Sequence, residues 1–109
     1  MSRTKVDRRS GNRVEVRLPV TVKPRDGSAE QIAYTRDLSA QGIFFYSDSK
    51  ITEGSQLEMV LILPAEVTAG ERKWVCCQAS VVRVEAGAGQ EFGVAAVFNR
   101  LDVMPEIPQ

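Results

Sequence analysis

From Val14 to Val22 every second residue is apolar: Val14, Val16, Leu18, Val20 and Val22 are separated by Glu15, Arg17, Pro19 and Thr21. A spacing of two puts one set of side chains on each face of an extended chain, so the segment reads as a half-buried β-strand. Pro19 removes a backbone donor, which predicts that this strand lies at a sheet edge or contains a bulge. Further strands are predicted over residues 30–36, 43–47 (Ile-Phe-Phe-Tyr-Ser), 56–63, 72–85 and 92–98. Arg25-Asp26-Gly27-Ser28, the polar stretch 48–55, the loop 65–71 and Ala86-Gly87-Ala88-Gly89 supply the turns. Trp74, Phe92 and Phe98 fall at strand spacing and are assigned to the core. Phe44, Phe45 and Tyr46 are consecutive, so at least one faces inward. No segment shows the spacing of a long amphipathic helix.

Six short strands joined by turns make a sandwich or a barrel, and closing the barrel removes the unpaired edges that favour aggregation. With 109 residues, 43% of them apolar, the chain supports one domain with one modest core. The expected organisation is a basic arm over 1–13, a barrel over 14–101 and a tail over 102–109. Pro105 and Pro108 limit that tail to at most one helical turn.

Charge and residue usage narrow the function. The 14 basic and 14 acidic side chains cancel, which argues against a general polyanion binder. Their distribution is uneven: residues 1–25 hold eight basic side chains against Asp7 and Glu15, and the remainder is acidic by the same surplus. A basic head on an acidic body suggests an anion-binding arm, and it also fits a solvated tail. The opening residues lack the apolar centre of a signal peptide. The apolar run Met59–Leu63 stops at Pro64, too short to cross a bilayer, so no membrane insertion is expected. Cys76 and Cys77 are adjacent and cannot form an ordinary bridge on a strand, which points to a reducing cytoplasm. Without a histidine the chain lacks the commonest general base and an important metal ligand, so neither an enzyme nor a metal site is expected.

Two constellations carry chemistry. The first is Arg8-Arg9-Ser10-Gly11-Asn12-Arg13, just before the opening strand. Guanidinium groups are flat and permanently charged; they fork onto phosphate oxygens or the O6/N7 edge of guanine and stack on purines. The second is Asp37-Leu38-Ser39-Ala40-Gln41-Gly42. In extended backbone Asp37 and Ser39 share a face; Asp37 could accept from guanine N1–H and N2–H, the Ser39 hydroxyl could donate or accept, and Gly42 permits positive φ or close approach of a ligand. A plain Asx-type turn capping a hairpin accounts for the same six residues.

Together the motifs resemble the PilZ domain family, whose pattern is RxxxR, often RRxxxR, in an N-terminal arm and [D/N]xSxxG further along on the barrel. Glu91-Phe92-Gly93-Val94-Ala95-Ala96-Val97-Phe98 is similar to the family's late GVxF-type strand, with Ala-Ala making it slightly longer. The resemblance covers about Asp7 to Leu101. It implies an all-β fold: a six-stranded antiparallel PilZ-type β-barrel with a flexible N-terminal arginine arm and a short or absent C-terminal helix. It implies a bacterial cyclic di-GMP receptor without cofactor or catalysis, signalling to a downstream protein. Arg8, Arg9 and Arg13 would hold phosphates and guanine edges, Asp37 and Ser39 would bond a guanine, and Gly42 would leave room for it. Arg8, preceding the RxxxR pair, implies an intercalated ligand dimer. An alternative is a PilZ adaptor that binds proteins and no nucleotide. DNA or RNA binding is not expected, because the body is acidic and no aromatic platform is evident. Arg83, late in the fifth predicted strand, could approach the ligand from the barrel side, although a solvated surface arginine is the simpler account.

Overall fold

A computed structural model describes residues 13–68, 70–87 and 89–105. Seven strands follow one another: β1 (Val14–Glu15), β2 (Pro19–Pro24), β3 (Gln31–Leu38), β4 (Gly42–Ser47), β5 (Gln56–Leu63), β6 (Lys73–Ala86) and β7 (Phe92–Pro105). One helical turn, α1 (Ala65–Thr68), sits between β5 and β6. Strands β3, β2, β5, β6, β7 and β4 pair antiparallel in that order, and β4 pairs back onto β3. That is the expected closed six-stranded barrel, with β1 added outside β3.

The predicted first strand is therefore two strands, and the break falls over residues 16–18, just before Pro19. Without an N–H there, the chain over 16–18 bonds to β3 by another route. The buried Thr35 hydroxyl accepts from Leu18 N at 2.8 Å, and Thr35 N donates to Leu18 O at 2.9 Å. Val16 N donates to Arg36 O at 3.2 Å. Of the two outcomes predicted for Pro19, an irregularity is the one realised: β2 lies between β3 and β5, away from any edge.

Alternating residues fill the barrel. Val20, Val22, Ala33, Phe45, Leu57, Met59, Leu61, Val75, Ala79, Val81 and Val94 are all buried in one cluster. Each large side chain so buried contributes about 1.5–3 kcal/mol of transfer free energy. Trp74 is a correction: it is 38% exposed, because Val75 and Cys77 take the inward positions of β6 and leave it outside. Phe98 packs half-buried against the core, and Phe92 is half-buried. A second correction concerns the C-terminal end. The chain expected as a tail from residue 102 instead continues β7, where Leu101, Asp102, Val103 and Met104 pair with Cys77, Cys76, Val75 and Trp74. Pro105 is tolerated as the final strand position, where no further ladder donor is required.

Two experiments probe this frame. Deleting residues 102–109 removes the partners of Lys73 to Cys76 and should cost about 1–3 kcal/mol in urea unfolding; a true tail would be nearly neutral. The second uses the buried Cys77 thiol, which is pushed up to about 12 by burial first and by Cys76 second. An unfolded thiol titrates near about 8.5. Between those values the unfolded chain releases its proton while the folded chain keeps it, so stability falls as pH rises through that window and is unaffected below it. Moving from about pH 8 to about pH 10.5 should therefore cost about 2.5 kcal/mol more in the native protein than in Cys77→Ala. Equal losses would exclude Cys77 as the group.

Candidate functional site

On a regular strand, neighbouring residues point to opposite faces, so Arg36 and Asp37 should be separated by the barrel wall. They are not, because β3 bulges at Arg36: Thr35 pairs with Phe45, and the next pair is Asp37 with Phe44. Phe45 is a core residue and Phe44 lies outside that cluster, so the extra residue turns both Arg36 and Asp37 outward. A matching bulge at Val82 in β6 lies between the pairs Val81–Ala96 and Arg83–Ala95. These two irregular segments flank β4 and β7, and between them runs a groove of about 420 Å³. Arg13, Asp37, Ser39 and Gly42 all line it. Arg8 and Arg9 lie outside the described residues.

Asp37 is the organising group. Its side chain is only 3% exposed, yet both carboxylate oxygens are taken. Oδ1 accepts from Arg13 Nη1, and Oδ2 accepts from Arg36 Nε at 2.7 Å. Two charge-assisted bonds offset the desolvation of the carboxylate, which alone would cost several kcal/mol. The Asp37 hydrogen bond is also the largest cause raising the Arg36 pKa above its ordinary value, against a smaller opposing effect of burial. The Arg36 charge is therefore permanent.

Arg36 makes a second contact. Its Cζ lies 3.8 Å from the centroid of the Phe44 ring. Phe44 is buried on the outer wall and rests on Gly93, where a Cβ would stand 2.7 Å from Phe44 Cζ. Tyr46 meets Phe44 edge-on, with centroids 5.7 Å apart. Glycine on β7 thus admits the ring, and the ring supports the guanidinium.

Ser39 and Gly42 have structural work of their own. The Ser39 hydroxyl accepts from Gln41 N at 3.2 Å and Gly42 N at 3.3 Å, and Ser39 N donates to Gly42 O at 2.9 Å. These bonds build the β3–β4 turn. Gly42 does not adopt positive φ. A Cβ there would collide with the Ala96 carbonyl oxygen, so close approach of β4 to β7 is what requires glycine. Arg83 also lines the groove, with Nε donating to Glu85 Oε2 at 3.1 Å.

The profile of the PilZ domain matches residues 7–105. The chain belongs to the PilZ domain family. Two solved structures share the PilZ barrel. The Bacillus subtilis inhibitor of motility (MotI/DgrA) superposes with a TM-score of 0.70 at 19% identity, over 91% of this chain and 46% of that one. The chain thus spans about half the length of that relative. The PilZ domain of CeSA from a cellulose-synthesizing bacterium superposes with a TM-score of 0.57 at 22% identity, over 81% of this chain and 80% of that one. No curated protein sequence matches significantly. PilZ domains are cyclic di-GMP receptors or adaptors, typically non-enzymatic, and are not known to need cofactors. Among the described residues no cluster of acidic, cysteine or histidine side chains could hold a metal ion. No helix among them is long and apolar enough to cross a membrane.

The sequence reading missed Arg36, Phe44 and Val82 as groove residues. A cation beside Asp37 was visible, but only the bulge brings it to the same side. The structural duties of the turn are testable. Gly42→Ala should cost about 1–3 kcal/mol through the clash with β7, whereas Ser39→Ala should cost about 1 kcal/mol. A neutral Gly42→Ala in urea unfolding would contradict the close β4–β7 approach.

Proposed function

We propose that this PilZ domain is a cyclic di-GMP receptor acting in the cytoplasm. The observation carrying the reading is the meeting of Arg13 with Asp37, 24 positions apart, on the groove that Ser39 and Gly42 also line. That pairing matters because each group has an alternative partner in a ligand offering both phosphates and guanines. Arg13 can turn to a phosphate or a guanine O6/N7 edge, and Asp37 Oδ1 is then free for guanine N1–H and N2–H. A protein–protein ion pair is exchanged for two protein–ligand contacts, so the buried carboxylate is never left unmatched.

Arg8 and Arg9 supply further cations for phosphates and base edges, and residues 1–13 close over the ligand as an arm. Ordering that arm costs roughly 1–2 kcal/mol per residue, which keeps affinity moderate and makes arm closure the signal to a partner protein. Arg8 ahead of the RxxxR pair favours two stacked ligands per protomer. The adaptor reading draws on the same carboxylate: with both oxygens already matched by Arg13 and Arg36, the groove is stable without nucleotide.

Isothermal titration separates the two readings. Cyclic di-GMP should bind the native protein, more weakly as salt rises, at two ligands per chain. Arg13→Ala should lose about tenfold or more in affinity while its thermal midpoint moves little, because Asp37 keeps Arg36. No heat from the native protein at low salt would leave the adaptor reading standing.

A further inference from the structure

We propose that Arg36 is a base-binding residue: its guanidinium, seated on Phe44 and pinned by Asp37, offers its open face as the stacking platform for a purine of the ligand. The inference rests on the cyclic di-GMP reading and deepens it, since Arg36 belongs to neither sequence motif.

Three features of the groove carry it. The first is the layering. Gly93 lies beneath Phe44, and the Arg36 Cζ stands 3.8 Å above the ring centroid. That separation is the contact distance of a guanidinium stacked on the ring. The second is the locked orientation. Nε donates to Asp37 Oδ2 at 2.7 Å, and the nearby Tyr46 side chain further favours the charged guanidinium. A plane tied at its rim to Asp37 and seated on Phe44 loses little freedom when a base settles on it. The third is asymmetric exposure. Phe44 is only 3% exposed, whereas the Arg36 side chain is 46% exposed. A ligand entering the groove therefore meets the guanidinium and not the aromatic ring.

The chemistry suits a purine. The faces of a guanidinium are weakly hydrated, and an electron-rich base stacks on such a cation as an aromatic ring does. Phe44 below and the base above would sandwich the cation, while Asp37 stays beside it in reach of the base edge. Stacking and edge recognition then come from adjacent residues, which is what the bulge at Arg36 makes possible.

Charge and flatness are separable. Arg36→Lys keeps the cation and removes the plane. It should weaken cyclic di-GMP binding about tenfold to a hundredfold, with the salt dependence of affinity unchanged. Phe44→Leu, which removes the support, should weaken binding in the same direction. Arg100→Ala, a surface cation away from the groove, should bind as the native protein does. Far-ultraviolet circular dichroism checks that each variant is folded. If native protein binds and folded Arg36→Lys binds within twofold of it, the platform is wrong and the receptor reading survives. If the native protein gives no heat, the receptor reading itself has failed.

Discussion

A carboxylate withdrawn almost wholly from water has to be matched by charge, or it will not stay ionised or will not stay buried. Asp37 meets that requirement with one guanidinium from the segment before β1 and one from its own strand. The first contact draws Arg13 onto the barrel, where β1 itself contributes only the pairs Val14–Leu38 and Glu15–Asp37. The second holds Arg36 over Phe44. The placement of two permanent cations on the groove thus depends on a single acid. Whatever binds here competes with an ion pair already made, so affinity reports a difference between two sets of charge-assisted bonds.

The outer wall of a barrel is a poor place for a site, because alternation spends every second side chain on the core. The bulges at Arg36 and Val82 relax that constraint. Each gives two consecutive residues to the outside without disturbing the inward register before or after it: Thr35 and Leu38 remain buried, as does Val81. Glycine does complementary work. Gly42 lets β4 approach β7, and Gly93 lets Phe44 lie across it.

What was legible in the sequence follows from which interactions are local. Alternation, apolar and aromatic runs and turn signals exposed all six barrel strands, because these signals are local to each strand. Pro19 announced an irregularity but not its form, since the repair joins Leu18 to Thr35, seventeen positions further on. Trp74 was misread because size was taken as evidence of burial, whereas the phase set by Val75 and Cys77 puts it outside. The extension of β7 was missed because the seven residues from Asn99 to Pro105, polar at first and closed by a proline, give too short a run to establish a period. At the groove, Arg13, Asp37, Ser39 and Gly42 were identified by motif and do line one surface. Arg36 was not, because a bulge is a property of paired strands and leaves no mark on one strand alone.

The motif itself divides once the geometry is known. Ser39 and Gly42 are accounted for without any ligand: one builds the β3–β4 turn, and the other admits the Ala96 carbonyl. A PilZ barrel that bound only proteins would need both for folding. Asp37 and Arg13 are different, because an ion pair with one half-exposed partner is a weak source of stability, and a well-packed apolar residue in place of the acid would serve the barrel as well. The acid and the arginines therefore carry the case for nucleotide recognition, and the serine and glycine chiefly carry the case for the barrel.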